Sequence, residues 1–430
     1  MKLYIISPCR PEDIWRKRRV TFSLPPMSLA IIAALTPPDI EVKITDELVE
    51  DIDFNYPADL VALSVMTTNA LRSYDVADIF RKKGVKVIMG GIHPSVLPDE
   101  ASIHADSIVS GEAEGIWPEV IEDFMMGALK KLYISNDHPD SSIIPFPKWD
   151  LLREDRYFVP RTFQVSRGCP YGCSFCSSTS FFGMKFRFRP VGRVMDELKG
   201  YKKRMIVFVD DNIVGNPEYS KELFTALKGL GKRWVAQASI DIAWNEGLLK
   251  LAAEGGCAGL LIGIESVNYD NHSDVRKLKK ETEYEEAIKR IKSFGIGVHG
   301  SFVFGLDGDT IDVFESTVDF VVRNRLEVAN YCKLTPFPGT RLYEKMLKEG
   351  RLIHRDWSRY DRYHVVFHPK QFPVEILYKM TDRAYRKTYT FLSIWKRRPS
   401  NLKDLPYHLA INIDYRLGRR LRQSSIPLRT

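Results

Sequence analysis

Short apolar runs alternate with amphipathic stretches along the first 128 residues. Lys2 to Ser7 reads as a strand, Met27 to Leu35 as a helix after Pro25-Pro26, and Glu41 to Thr45 as a second strand ending at Asp46-Glu47. Leu60 to Met66 is a third strand, Leu71 to Lys83 has helical spacing, Val85 to Met89 and Ser107 to Ser110 are further strands, and a helix starts at Ile116. This alternation predicts a parallel, doubly wound α/β sheet, because each strand must cross back over a covering helix before pairing with the next. Such sheets take ligands at the carboxyl ends of their strands, where the chain order reverses.

The pattern pauses from Lys130 to Tyr157. Polar turns (Asn136-Asp137-His138-Pro139-Asp140) and the run Ile144-Pro145-Phe146-Pro147-Lys148-Trp149 read as a surface linker. From Arg161 the alternation resumes about six times, with strand candidates at Phe163 to Ser166, Met205 to Val209, Trp234 to Ala238, Gly259 to Ile264, Val298 to Phe304 and Ala329 to Leu334. Helix-like segments such as Pro217 to Leu230 and Thr282 to Phe294 separate them, which predicts a partial (βα)6 TIM-type barrel with its chemistry at the strands' carboxyl ends. The expected units are residues 1–130, a linker over 131–160, a barrel over 161–349 and a basic helical extension over 350–430.

In that extension, Tyr378 to Trp395 carries aromatics near helical spacing and runs into Lys396-Arg397-Arg398. A helix packed over the barrel mouth with a solvated charged end is the preferred reading; a basic, aromatic helix on a membrane surface is the alternative. Between Gly350 and Thr430 eighteen Lys or Arg face six Asp or Glu, so the net charge of +8 belongs to this tail and the rest of the chain is mildly acidic. The 430 residues with 44% hydrophobic content suffice for two or three real cores. No run reaches the roughly 18 to 20 apolar residues of a membrane span, and Met1 to Pro8 is too short for a signal peptide, so a cytoplasmic protein is expected. Nucleic acid is not an expected partner.

Six cysteines are present, and three of them, Cys169, Cys173 and Cys176, form C-x3-C-x2-C just after the strand-like run Thr162 to Ser166. Three thiolates that close can hold three irons of a 4Fe-4S cluster and leave the fourth iron open to a substrate. Zinc would usually want a fourth Cys or His at short spacing, and none follows before Cys257; a disulfide would leave one sulfur over. Cys9, Cys257 and Cys332 are expected to be plain buried residues of a reducing compartment.

The motif, with Phe175 before its last cysteine, resembles that of the radical S-adenosylmethionine (SAM) enzymes. The resemblance implies that SAM chelates the open iron, that its reductive cleavage yields a 5'-deoxyadenosyl radical, and that Phe175 lies near the adenine. It also implies an external electron donor of flavodoxin or ferredoxin type. By the same resemblance Asp210, Asp211 and Asn212 stand where the family meets the SAM amine, and Ser239 and Glu265 where it reaches the ribose or methionyl part. A carboxylate facing an ammonium makes a charge-assisted hydrogen bond; the competing reading makes these acids helix caps.

Three loops at the ends of the first unit's strands are the other candidate site: Ser64 to Asn69 with Met66 and Thr67, Gly90-Gly91-Ile92-His93, and Gly111-Glu112-Ala113-Glu114. Glycines let backbone approach a ligand closely, although the loops alone are ordinary turn chemistry and do not spell the G-x-G-x-x-G of a dinucleotide site. Placed before the cysteine motif they resemble the cobalamin-binding domain of the B12-dependent radical SAM class, which includes methyltransferases and the magnesium-protoporphyrin ester cyclase group. D-x-H-x-x-G is absent and His93 sits in the wrong context for that ligand, so the resemblance is to the branch that holds cobalamin without a histidine below the cobalt, or to a domain that has lost cobalamin altogether. It implies a 4Fe-4S cluster, SAM and methylcobalamin as cofactors and C-methylation of an unactivated carbon in a small-molecule or lipid-like substrate. The alternatives are a cyclase or oxidase with the same cofactors, an RNA methylthiotransferase, for which the extra cysteines are lacking, and a cobalamin or redox sensor without turnover.

Overall fold

The computed structural model describes the chain except residues 11, 14–22, 136, 137, 278, 400, 402, 403 and 423–430, and the side chains of 273 and 418–422. Asn136 and Asp137 of the expected linker and the last eight residues of the basic tail therefore lie outside the described residues.

The first sheet has six parallel strands: β1 (Lys2–Ser7), β2 (Glu41–Asp46), β3 (Leu60–Ser64), β4 (Lys86–Gly90), β5 (Ser107–Ser110) and β6 (Leu132–Ile134), in the order β2-β1-β3-β4-β5-β6. Its central strands read as unbroken apolar runs because both faces are covered. On one face Tyr4, Ile6, Val61, Leu63, Val87 and Met89 meet Val76, Ala77 and Phe80 of the helix Ala70–Lys82. On the other, Leu3, Ile5, Leu60 and Ile88 meet the helices Met27–Leu35 and Trp117–Met125. The chain leaves β1 first towards β2 and then towards β3, so the order reverses between β1 and β3, and the loops after β3, β4 and β5 stand along the same carboxyl edge of the sheet.

The stretch expected as a surface linker is built into this unit. Leu132–Ile134 pairs with β5, Trp149 and Leu152 are buried with the sheet's second face, and Tyr157 donates to Asp46 at 2.5 Å. Apolar residues spaced among prolines gave no period to read, yet they cover a sheet edge and face. The same holds for part of the C-terminal extension: Trp357, Tyr360 and Val366 complete the first sheet's other face.

The second sheet holds β9 (Met205–Val207), β10 (Arg233–Ala238), β11 (Cys257–Glu265), β12 (Gly297–Phe304) and β13 (Val328–Lys333), all parallel and in sequence order from one edge to the other. Beside β9 the expected first strand is present as a parallel bridge, Phe163 to Phe208, with the Phe163 N–H donating to Val207 and the Val209 N–H to Phe163. Six positions therefore curve into a half-barrel. Between Phe163 and β9 a two-residue antiparallel pair, β7 (Ser166–Arg167) and β8 (Arg187–Phe188), brackets the cysteine loop.

β13 is an edge strand, and an edge needs partners for its open backbone groups. The helix Val374–Thr388 and the residue after its end supply them through tyrosines. Tyr385 OH accepts from the Tyr331 N–H and donates to the Tyr331 carbonyl, both at 3.0 Å. Tyr389 OH does the same for Ala329, at 3.1 and 2.5 Å. Four helical residues rise about 6 Å and two strand residues about 6.6 Å, so hydroxyls four apart match strand residues two apart. The expected continuous helix to Trp395 is thus broken: Tyr389 turns inward, Thr390 caps a new helix, Phe391–Lys396, and the pair lies along the barrel's side rather than over its mouth. Among the described residues no helix is long and apolar enough to cross a membrane.

Candidate active site

The cysteine loop starts where β7 ends. Gly168 has φ +90°, and a side chain there would strike the Lys185 carbonyl, so the turn into Cys169 requires glycine. The loop's backbone is held from several sides: Cys169 N–H donates to Gly183 at 3.3 Å, Ser174 N–H to Asp274 at 3.3 Å, Leu342 N–H to Ser174 at 3.0 Å, and Arg341 to the Gly172 carbonyl. The three thiols are left partly exposed and free, whereas Cys9, Cys257 and Cys332 are buried. Thr179 Oγ1 donates to Cys176 Sγ at 3.3 Å. Among the described residues no three Cys, His, Asp or Glu converge on one ion; an iron-sulfur cube instead takes each thiolate on its own iron, and a fixed loop presenting three free thiols fits it.

Cys169 also lines a cavity at the carboxyl ends of β9 to β12, together with Asp211, Asn212, Ser239, Glu265 and Lys277. Four of the residues expected to meet SAM are thereby brought together. Asn212 Oδ1 accepts from the Ser239 N–H at 2.8 Å, and Ser239 Oγ bonds Asp241 at 2.5 Å and Tyr171 OH at 2.8 Å, tying the cysteine loop to the third strand position of the barrel. Burial pushes the Asp211 carboxyl up and the Tyr171 phenol up to about 12. Lys279, at 3.2 Å, and the two hydroxyls hold Asp241 below the usual range in spite of burial.

Two expected SAM residues stand elsewhere. Asp210 is fully buried and accepts from Val165 N at 3.0 Å, from Ser166 N and from Ser166 Oγ at 2.7 Å, so it ends the strand that leads to the cysteines instead of facing the cavity. Burial raises its carboxyl to about 7. Phe175 packs partly buried against the barrel core.

Lys277 was not among the sequence candidates. It sits in a polar loop after β11, where nothing in spacing distinguishes it, yet its ammonium is 2.9 Å from Glu265 and neighbours Cys173. Although burial opposes it, the Glu265 carboxylate raises the pKa of this ammonium. The register of β11 slips between Gly263 and Glu265, and Glu265 takes φ 64°, a strained position for a non-glycine residue. A side chain on Gly263 would run into Glu265 and into Lys277 Nζ, 2.5 Å away. The bulge is what turns the pair into the cavity. Gln237 and Ser301 line it too and were likewise missed, because an isolated polar residue inside a strand has no pattern.

The first sheet's rim is of another kind. Ser64 and Gly90 are register partners at the ends of β3 and β4, and Met66 is 57% exposed beside them. Thr67 is buried at the start of the short turn Thr67–Asn69. Gly91 has φ +111°, and a side chain would come within 2.6 Å of the Val65 carbonyl; Gly111 has φ +89° with the Ser135 carbonyl 3.0 Å from a Cβ. Backbone thus lies close to backbone along this rim, with room for no side chain at Gly91 or Gly111. Three expected cobalamin residues are committed elsewhere. His93 is wholly buried, its Nε2 2.9 Å from Tyr74 OH and its ring edge-on to Trp357. Glu112 and Glu114 are buried in ion pairs with Arg167, each at 2.5 Å.

Comparison with known proteins agrees with both units. Residues 163–321 match the model of the radical SAM superfamily and residues 18–121 that of the B12 binding domain. The bacteriochlorophyllide d C-12(1)-methyltransferase of Chlorobaculum tepidum is 34% identical over 387 residues, covering 86% of this chain and 84% of that protein. The bacteriochlorophyllide d C-8(2)-methyltransferase of the same organism is 29% identical over 400 residues, 88% of each. The structure of the radical SAM methyltransferase TsrM from Kitasatospora setae, with cobalamin and a [4Fe-4S] cluster bound, superposes with a TM-score of 0.68 at 15% identity over 98% of both chains.

Proposed function

The chain belongs to the cobalamin-dependent radical SAM methyltransferases, and from that premise we propose that it methylates an unactivated carbon of a biosynthetic substrate. The carrying observation is the set of three partly exposed thiols beside a cavity that holds the Lys277–Glu265 pair. Cys169, Cys173 and Cys176 would hold the cluster, and the rim at Ser64, Met66, Gly90 and Gly111 the cobalamin. Bound there, cluster and SAM supply the adenosyl radical and methylcobalamin the methyl group. The chain's own residues bind and orient: Asp211 and Glu265 offer anions to the SAM amine, Lys277 a cation to its carboxylate, and the buried Asn212–Ser239 contact fixes the floor on which the ligand rests. An external donor of flavodoxin or ferredoxin type supplies the electron.

The relatives' named acceptor, a bacteriochlorophyllide, makes a large planar molecule the first substrate to try. Anaerobic reconstitution with iron, sulfide, hydroxocobalamin, reductant and methyl-labelled SAM tests the reading. 5'-Deoxyadenosine and label transfer to bacteriochlorophyllide d are expected. Formation of 5'-deoxyadenosine with an unlabelled, oxidised or cyclised product would favour the cyclase alternative, and no cobalamin uptake would overturn the methyl-transfer reading.

A peripheral membrane contact is supported by Phe391, Leu392 and Trp395, which are 69, 65 and 56% exposed beside Lys396 and Arg398. Arg397 anchors this helix to the carbonyls of Leu326 and Glu327, just before β13, so the patch lies at the amino ends of the strands, opposite the cavity. Anionic liposomes should sediment the protein and salt should release it; no sedimentation at low salt would remove the membrane from the account.

A further inference from the structure

Resting on this reading, we propose that Arg167 is a positioning residue that sets the spacing between the two cofactor rims. Its guanidinium bridges Glu112 and Glu114, on the loop after β5, from a place two residues before the first cluster cysteine.

Each of the three nitrogens of this fork has a partner. Nη1 donates to Glu112 and Nη2 to Glu114, each at 2.5 Å, Nε donates to Gln164 at 2.9 Å, and the face of the group lies 5.3 Å from the Phe182 ring. Arg187, the register partner of Arg167 across β7 and β8, reaches Glu112 at 2.6 Å and donates to Pro139 and Phe182 carbonyls. His138 lies 2.9 Å from the same carboxylate. The side chains of Arg167, Glu112 and Glu114 are 6, 1 and 6% exposed. The two guanidinium groups hold Glu112 below the ordinary carboxylate range although burial opposes this.

Stability alone does not explain such a cluster, because buried ion pairs commonly gain no more than apolar packing of the same volume. Geometry does. Apolar surfaces tolerate sliding by a fraction of a side chain, whereas a planar fork with two separate acceptors satisfies both in one arrangement only. Slack is also absent on either side of it. The Cys169 N–H is held by the Gly183 carbonyl at 3.3 Å, Gly168 before it has no room for a side chain against the Lys185 backbone, and the Gly111 N–H is held by Ser95 Oγ at 2.9 Å. A shift of the cobalamin rim is therefore passed to the cysteine loop through Arg167.

The test uses the reconstituted full-length enzyme and Arg167→Lys, which keeps the charge but replaces the rigid planar fork by a single rotatable ammonium. The readouts are iron and cobalamin content, 5'-deoxyadenosine formation, and microwave-power saturation of bound cob(II)alamin with the cluster oxidised and reduced. The expected outcome is unchanged loading and SAM cleavage, with a shift in the relaxation that the reduced cluster imposes on cob(II)alamin. Arg187→Lys, which leaves Arg167 in place, should shift it less, and it carries the test if Arg167→Lys does not fold. Loading and relaxation like those of the unaltered enzyme in the folded variant would overturn the positioning role. Absence of any cobalamin signal in the unaltered enzyme would instead overturn the functional reading on which the role rests.

Discussion

The two rims face each other on sheets of the same kind, yet they are made of different material. The barrel rim is built of side chains: thiols, a carboxylate-ammonium pair and a strained bulge that aims it. The rim of the first sheet is built of main chain packed closely at its glycines, and the acidic side chains Glu112 and Glu114 are taken up in ion pairs. Side chains specify which group reacts, while bare backbone specifies which shape fits. Substitutions should therefore fail in different ways at the two rims.

The largest effect is expected from Cys173→Ala, which removes the ligand of one iron. Loss of the cluster absorbance and of all detectable 5'-deoxyadenosine should accompany normal cobalamin uptake, whereas Cys257→Ala should keep the cluster. Retained SAM cleavage would break the assignment of the barrel rim. Next come the glycines, where the rims should diverge. Gly91→Ala meets the Val65 backbone at φ +111° and should cost on the order of 1 to 3 kcal/mol in unfolding whether or not cobalamin is present. A Cβ on Gly90 makes only ordinary contacts, 3.6 Å from Val109, so Gly90→Phe should fold and yet lose cobalamin in a spectroscopic titration. If Gly90→Phe binds it normally, the ligand lies elsewhere on the rim.

A smaller change follows from His93, buried against Tyr74 and Trp357. His93→Ala should lower the melting temperature through lost packing but leave the cobalt hyperfine pattern as it was. New or vanished nitrogen splitting would show that the ring reaches the cobalt after all.

The last effect is a pH dependence, spread over several units and read only in stability. Asp210 has its carboxyl raised to about 7 by burial, above its ordinary 3.8, so the folded chain holds that proton more tightly than the unfolded one. Its contribution to stability is present below about pH 4, declines by at most about 1.4 kcal/mol per unit as pH rises, and levels off above about 7. Asp210→Asn should flatten the stability profile across that window in denaturant titrations. An unchanged slope would mean that the bonds to Val165 and Ser166 outweigh burial.

The same division explains what was legible. The motif Cys169 to Cys176 and the strand-helix periods depend on local spacing, and the half-barrel and doubly wound sheet follow from them. Asp211, Asn212, Ser239 and Glu265 could be picked because they follow strands directly. Asp210 looks identical by that rule, and only the direction of a side chain at a strand's end separates it from Asp211. Glu112, Glu114 and His93 were picked for lying on a ligand-facing loop, but spacing cannot tell a loop residue that faces the crevice from one that faces the neighbouring unit. Lys277 has its meaning only through the bulge at Gly263, and the tyrosines of the last part of the chain only through the strand they meet.

That last encounter constrains anyone seeking a smaller enzyme. Because Tyr385 and Tyr389 occupy the hydrogen-bonding groups of β13 one residue pair at a time, the tail works as a tethered stopper on a sheet that would otherwise keep growing. A chain cut near residue 350 would retain every cofactor-facing group described above and still present a bare parallel edge, an invitation to self-assembly. What Tyr385 and Tyr389 contribute is cover for an edge, more than any contact with the reacting groups.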